Sequence, residues 1–398
     1  MIKFAVRRNL IYPFQYLLWS IIRDIEVDLT SLFLMNNLII TTPIMFLGEF
    51  LAGLIFYVYQ KKILSKNKTD KEPNSFVMKF MKTKHKIVEG NKVKIIFIIF
   101  TIAFYDFVQF FLSFPLSKFI NLSGSLEKRL RGTYTIVCAI FSYYKLGLPI
   151  FKHQYFSLIA ILICIIITIL TECIFQEFNI FLSYRQFFLA LLIVFLIQFF
   201  HSLEESLEKC LFVYNDLNPF LLLMIEGIFG LIFCLIYSFF YSFIDNIIEF
   251  KKEKSTSEFA ILIFCLFMYM ILSGGKNIFR LITTRIFSPM TTTFVIYMYN
   301  PLTLSFSYAF GNDFKSHGES NLAYFLLNLI ISLILSFFGG VYNEFIILFC
   351  CGLERDTHNQ VTQRSESERQ LSVLFEEHDK DKDQESIDSN YLIQISGQ

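Results

Sequence analysis

Ionisable side chains inside apolar runs mark where this sequence could do chemistry, since each costs about 2.5–3.5 kcal/mol at the centre of a bilayer on insertion scales. Four groups qualify. Glu49 and Glu226 sit at matching points of two apolar runs. Asp106 lies in the middle of a third run, beside Tyr105 and three residues before Gln109. Glu127-Lys128-Arg129-Leu130-Arg131-Gly132 opens another. His201, Glu204, Glu205, Glu208 and Lys209 end a fifth, and on a helix His201, Glu204 or Glu205, and Glu208 share one face.

Several chemistries fit these residues. Glu127 with Arg131, and Glu205 with Lys209, are four apart and can neutralise each other along one helix face at the headgroups, or they can line a polar interior. Asp106 lies deeper with no adjacent cation, so a polar cavity is its expected setting, with Lys128, Arg129 or Arg131 as partner. His201 with three glutamates could hold a divalent metal. The chain has no His-Glu-x-x-His and no four-ligand Cys/His pattern, so neither a metal nor a cofactor is expected. Tyr105-Asp106 echoes half of an intramembrane aspartyl protease, but Gly-x-Gly-Asp is absent and no catalytic pair is expected. Lys276 follows Gly274-Gly275 and is either a substrate contact or a snorkelling lysine.

The elements that must position these groups are membrane spans. Of 398 residues, 55% are hydrophobic and 17% charged, with mean hydropathy +0.53, 50 Phe and 20 Tyr. This excludes an ordinary soluble enzyme and a free nucleic-acid-binding domain. The net charge of +1 provides no overall field for a polyanion. A short apolar run over 9–22, followed by Arg23-Asp24-Ile25-Glu26, reads as an interfacial or degenerate first helix, without a cleavage site. Nine spans follow, at about 32–60, 95–117, 121–145, 154–174, 186–211, 219–243, 258–282, 288–311 and 322–350. The lysines between 61 and 94 place that loop in the cytoplasm, and alternation puts Lys145, Lys152, Arg280, Arg285 and the C-terminal tail on the same side. The polar, mixed-charge stretch 352–398 is expected to be a disordered tail. Six cysteines within apolar runs read as small buried residues, and Cys350-Cys351 as a palmitoylation candidate.

Two of the runs share a pattern. Glu49-x-x-x-Gly53-Leu-Ile-Phe56 and Glu226-x-x-x-Gly230-Leu-Ile-Phe233 are the same motif at an offset of 177 residues. If the short first segment counts as a span, each half holds five helices, and an odd number inverts the second half, the logic of secondary transporters. Chance recurrence in a chain this rich in Leu, Ile and Phe is the other reading.

These residues carry a resemblance to the drug/metabolite transporter superfamily, and within it to solute carrier family 35, subgroup F member-6-like. Met45-Phe-Leu-Gly48-Glu49-Phe50 looks like that subgroup's second span. Leu130-Arg131-Gly132-Thr133 is similar to the start of the fourth. Glu208-Lys209, Asn218-Pro219 and Glu226-Gly227-Ile-Phe-Gly230 resemble the sixth and seventh, and Gly340-Val-Tyr-Asn343 the end of the tenth. The resemblance implies an all-α polytopic membrane protein, nine to ten transmembrane helices in two inverted five-helix repeats around an alternately exposed cavity. Where the family has Gln before Leu-Arg-Gly, this chain has Lys128; facing the cavity, it implies an anionic solute.

The expected organisation is an N-terminal segment over 1–31, half-repeats over 32–175 and 186–350, and a tail over 352–398. Function is expected to be secondary transport of a small anionic metabolite, nucleotide-sugar-like or another organic anion, by alternating access. The alternative is a membrane scaffold or receptor with a vestigial cavity. Asp106, Lys128, Arg131 and Lys276 are the expected substrate contacts, and Glu49, Gly132, Glu226 and Gly230 the structural or gating positions. The expected partners are a small-molecule solute and membrane lipid, without nucleic acid, and a homodimer is compatible. The expected location is an endomembrane, Golgi, lysosome-like or another vesicle.

Overall fold

A computed structural model describes residues 2–4, 10–34, 38–66, 92–119, 130–147, 150–176, 184–240, 256–310 and 321–348. Within them the chain forms ten helices: α1 (Ile11–Leu34), α2 (Leu38–Lys66), α3 (Lys92–Phe119), α4 (Gly132–Leu146), α5 (Lys152–Gln176), α6 (Tyr184–Asn215), α7 (Pro219–Phe240), α8 (Thr256–Ile286), α9 (Pro289–Phe310) and α10 (Asn321–Tyr342). Two short strands, β1 (Ile2–Phe4) and β2 (Ile346–Leu348), pair antiparallel with Lys3 opposite Ile347. That pairing has no counterpart in the sequence expectations.

Seven of the helices are long and apolar enough to cross a membrane: α2, α3, α5, α6, α7, α8 and α10. The protein is an integral, multi-pass membrane protein. Its outward faces bear isoleucine, leucine and phenylalanine, as along Ile159, Ile163, Ile166 and Leu170 of α5, where lipid replaces water as the neighbour. Two of the nine expected spans fall short of that standard for identifiable reasons. α4 has 15 residues, about 22 Å of helix against a hydrocarbon core of about 30 Å. α9 carries Thr291, Thr292, Thr293 and Asn300, all buried, in place of aliphatic residues.

The first helix corrects an expectation. Instead of a short interfacial segment ending at the charges after residue 22, α1 is one helix of 24 residues that runs through them. It packs on α8 and α9, which allows charge in mid-helix: Arg23 donates to the Tyr269 hydroxyl of α8 at 3.2 Å, and Asp24 is buried.

Helix contacts centre on α2, which packs against α7 and α8. Close approach needs small residues, and the shared Glu-x-x-x-Gly motif lies at this crossing. A Cβ at Gly53 would lie 2.6 Å from the Met224 amide nitrogen, one at Gly227 2.6 Å from that of Phe50, and one at Gly230 would overlap the Phe46 ring. At the α2–α8 crossing, a Cβ at Gly274 would lie 2.8 Å from that of Ala52. The other principal neighbours are α1 with α8 and α9, α3 with α6 and α7, α6 with α4, α5 with α4 and α10, and α9 with α10.

The helix ends that alternation places beside the Lys-rich loop are tied by polar contacts. Lys209 Nζ donates to the carbonyls of Thr284, Arg285 and Phe287 at 3.0, 2.9 and 2.9 Å, capping the C-terminus of α8. Arg285 pairs with Asp216 and donates to the Leu217 carbonyl at 2.8 Å. Asn218 Nδ2 reaches Gln60 Oε1 at 2.5 Å, and His153 faces Glu344 at 3.5 Å. Lys209 therefore serves the end of α8, and of the two readings of the Glu205–Lys209 spacing the pair along one helix face is not the one formed. The Lys-rich loop, Cys350-Cys351 and the 352–398 tail lie outside the described residues.

Candidate functional site

Spacing on α6 sets the site's acidic half. Glu204, Glu205 and Glu208 recur at three- and four-residue intervals, so they project from one face, and all three are buried. Arg280 of α8 meets them. Its Nη2 lies 3.1 Å from Glu204 Oε1 and 2.8 Å from Glu208 Oε1, while Nη1 lies 3.4 Å from Glu205 Oε1 and donates to Glu208 Oε2 at 3.1 Å. The planar guanidinium, with its fork of donors, is the side chain able to serve three carboxylates at once.

The remaining carboxylate oxygens are also engaged. Gln109 of α3 donates to Glu204 Oε2 at 2.6 Å, and His201 Nδ1 lies 3.3 Å from the same oxygen, one turn back on the expected shared face. Glu205 Oε2 accepts from Tyr134 of α4 and, at 2.5 Å, from Thr292 of α9. Four helices thus converge on the α6 glutamates, at a depth where water is not available to solvate them.

Around this network stand three further acids. Glu49 is buried on α2 and accepts from Asn277 Nδ2 of α8. Glu226 is buried on α7. Asp106 is half-buried on α3 and interacts electrostatically with Glu204, Glu49, Arg280 and Glu226. Among the described residues Arg280 is a cation that acts on Asp106; the expected partners are Lys128, Arg129 or Arg131. The first two of those lie outside the described residues, as does Glu127. Arg131 is committed elsewhere.

The basic half is assembled one turn earlier along the same side of α8. Arg131 forms the turn that opens α4; its Nη1 donates to the Tyr299 hydroxyl of α9 at 2.6 Å, and its guanidinium stands 5.8 Å from the centre of that ring. Thr135 of α4 bonds to the Tyr297 hydroxyl, a second tie from α4 to the same face of α9. Lys276, half-buried one turn before Arg280, interacts with Arg23, Asp24, Arg131 and Arg280. Tyr16 of α1, fully buried, interacts with Tyr299 and Arg131 in this half and with Glu205 and Arg280 in the other. Tyr269 holds Arg23.

Of the expected site residues, Arg131 and Lys276 share one region, while Asp106, Glu49 and Glu226 share another. α8 contributes to both. Gly132 packs its helix start against Ile165, where a Cβ would lie 2.9 Å from Cγ1. Sequence reasoning missed Arg280, which was read only as a charge at the cytoplasmic end of a span but is 5% exposed at the centre of the network. It also missed Arg23, read as the end of a helix. The available signal was the four-residue spacing of Lys276 and Arg280, which puts both on one side of a glycine-lined helix.

Among the described residues no group of three or more His, Cys, Asp or Glu side chains is arranged to hold a metal ion; the glutamates near His201 pair with Arg280. The arrangement offers hydrogen-bonded charge in two adjoining patches of opposite sign. The chain matches no known protein-family model, and no curated protein is significantly similar to it.

Proposed function

We propose that this membrane protein is a secondary solute transporter of the drug/metabolite transporter type. It carries a small anionic metabolite, nucleotide-sugar-like or another organic anion, across an endomembrane by alternating access. The tail is cytoplasmic, and no bond is made or broken.

Two five-helix repeats are supported by the neighbour relations of the helices. Advancing each label by five, cyclically, turns α1–α8 into α6–α3, α1–α9 into α6–α4, α2–α8 into α7–α3 and α4–α5 into α9–α10, and returns α2–α7 and α5–α10 to themselves; every one of these pairs is in contact. The Glu49 and Glu226 motifs, one in each repeat, meet at the self-paired α2–α7 crossing, as expected of a pseudo-two-fold axis.

The observation that carries the reading is the convergence of Arg23 and Arg131 from the first repeat with Lys276 from the second, among Tyr16, Tyr269 and Tyr299. An anion held there touches both repeats at once. Its contacts change when one repeat rocks against the other, and this differential affinity is what alternating access requires.

A thermal-stability screen of the detergent-purified chain tests it. A nucleotide-sugar or other organic anion that binds the folded state at a hundredfold excess over its Kd adds about 2.7 kcal/mol of stability. The shift should be absent in Arg131→Ala. Stabilisation by divalent metals alone, or by no anion, refutes the reading.

A further inference from the structure

The acidic half of the site poses a charge problem that the solute does not solve. Glu49, Asp106, Glu204, Glu205, Glu208 and Glu226 surround one guanidinium, that of Arg280, with His201 at the edge. Of the other cations nearby, Arg23 is bonded to Tyr269 although its charge also acts on Glu49, Arg131 is bonded to Tyr299, and Lys276 lies among these arginines. A surplus of bare carboxylates in a water-excluded interior is not tolerated; it is removed by pairing or by protons.

Pairing accounts for four of the six carboxylates. Glu204, Glu205 and Glu208 divide Arg280 among them, and Glu49 accepts from Asn277. Asp106 and Glu226 are left over, and Glu226 is the deeper of the two. It is 5% exposed, and its Oε1 has no hydrogen-bond partner among the described residues. Its charge interactions are with Glu208 and Glu204 of α6, Arg280 of α8 and Glu49 of α2; Asp106 of α3, which packs against α7, interacts with it as well. Glu208 Oε1 also lacks a hydrogen bond but lies 2.8 Å from Arg280 Nη2, so among the described residues of this cluster the buried oxygen with neither contact is Glu226 Oε1. A proton fits this place: it needs one oxygen to bond and one neighbouring carboxylate, Glu208 or Glu49, to accept from it.

We propose that Glu226, at the α2–α7 crossing, is an exchangeable proton site with Glu208 and Glu49 as its neighbouring carboxylates. The role of that proton as the coupling ion rests on the transporter reading; its presence does not. The step balances simply. A proton leaves water on one face, bonds to a Glu226 oxygen and neutralises one negative charge, and when the halves exchange access it returns to water on the other face, restoring the carboxylate.

Infrared difference spectroscopy of the full chain in detergent reads this directly, through the C=O stretch of a protonated carboxylic acid. Above about pH 5.5, where ordinary surface carboxylates are already ionised, the wild type should show a carboxylic-acid band that falls as pH rises further, and Glu226→Gln should show less of it. Should Glu226→Gln fail to fold, Glu226→Asp and Glu208→Gln should shift the band's midpoint. A wild-type protein with no titrating band in that range overturns the proposal, as does a folded Glu226→Gln whose band is undiminished. A second measurement separates site from role: uptake of a radiolabelled nucleoside-diphosphate sugar by proteoliposomes with and without an imposed pH gradient. Uptake indifferent to the gradient overturns coupling and leaves transport standing. A titrating band without uptake supports the proton site and counts against transport of that solute class.

Discussion

Lys276 and Arg280 are one turn apart on α8 and face opposite electrostatic settings: Lys276 lies among Arg23, Arg131 and Asp24, whereas Arg280 lies among three glutamates within 3.4 Å. Helix geometry alone would make them equivalent neighbours. The difference arises from what packs at each turn, α1 with the start of α4 around Lys276, and α6 around Arg280.

Removing Arg280 should therefore be severe. Arg280→Ala leaves three buried carboxylates without a counter-charge, and breaking buried pairs of this kind costs about 3–5 kcal/mol. Arg280→Lys should recover only part of the loss, because a point charge with three donors cannot serve three carboxylates in the same plane. Thermal unfolding of the purified variants measures both. An Arg280→Ala protein as stable as the wild type would mean that the glutamates are neutralised by something other than this guanidinium.

How much of this was legible in the sequence follows from what hydropathy records. An apolar average identifies a span, so the long helices α2, α5, α6 and α10 were visible, as was the α6 face carrying Glu204, Glu205 and Glu208, since the period of a helix is fixed. Averages carry no information about which side of a helix meets protein. Arg280 lies near the end of an apolar run and reads as a charge at the membrane surface, although α6 covers it; Arg23 and Asp24 read as the end of α1, although α8 and α9 cover them. Partner choice was equally hidden, because Arg131 finds Tyr299, 168 residues away, in a packing that no local spacing encodes.

The α2–α7 crossing yields a second prediction. Gly227 lies where a Cβ would approach the Phe50 nitrogen at 2.6 Å and the Phe46 carbonyl at 2.8 Å, both backbone atoms that cannot move aside. Gly227→Leu should push the helices apart and cost about 1–3 kcal/mol or more, with Gly53→Leu similar from the other helix. Because both act on one crossing, the double variant should lose less than the sum of the two. Comparing folded yield and unfolding temperature of the three proteins tests this, and strict additivity would argue against a shared contact.

Lys209 offers a third test, at the end of α8. Its three donors satisfy three carbonyls, so Lys209→Met, which keeps the stem but removes the donors, should cost about 1–3 kcal/mol. The loss should show as faster amide exchange over residues 284–287 before global unfolding. Equal exchange in wild type and variant would contradict the cap.

Lys276 yields the prediction that separates a functional charge from a structural one. Among the described residues no hydrogen bond reaches it, and three of the four charges acting on it, those of Arg23, Arg131 and Arg280, are of its own sign. A half-buried cation in that company strains the fold, so Lys276→Met, which fills the same space without the charge, should leave unfolding temperature unchanged or raise it. The same variant should lose the stabilisation by an organic anion, since the charge that burdens the empty protein is the one an anion would neutralise; this is the trade between stability and function expected of a binding residue. Lys276→Arg should keep the anion response in part. Measuring unfolding temperature with and without the anion for wild type and both variants decides the matter: a large fall in the ligand-free stability of Lys276→Met would make Lys276 part of the scaffold, and a retained anion response would remove it from the binding site.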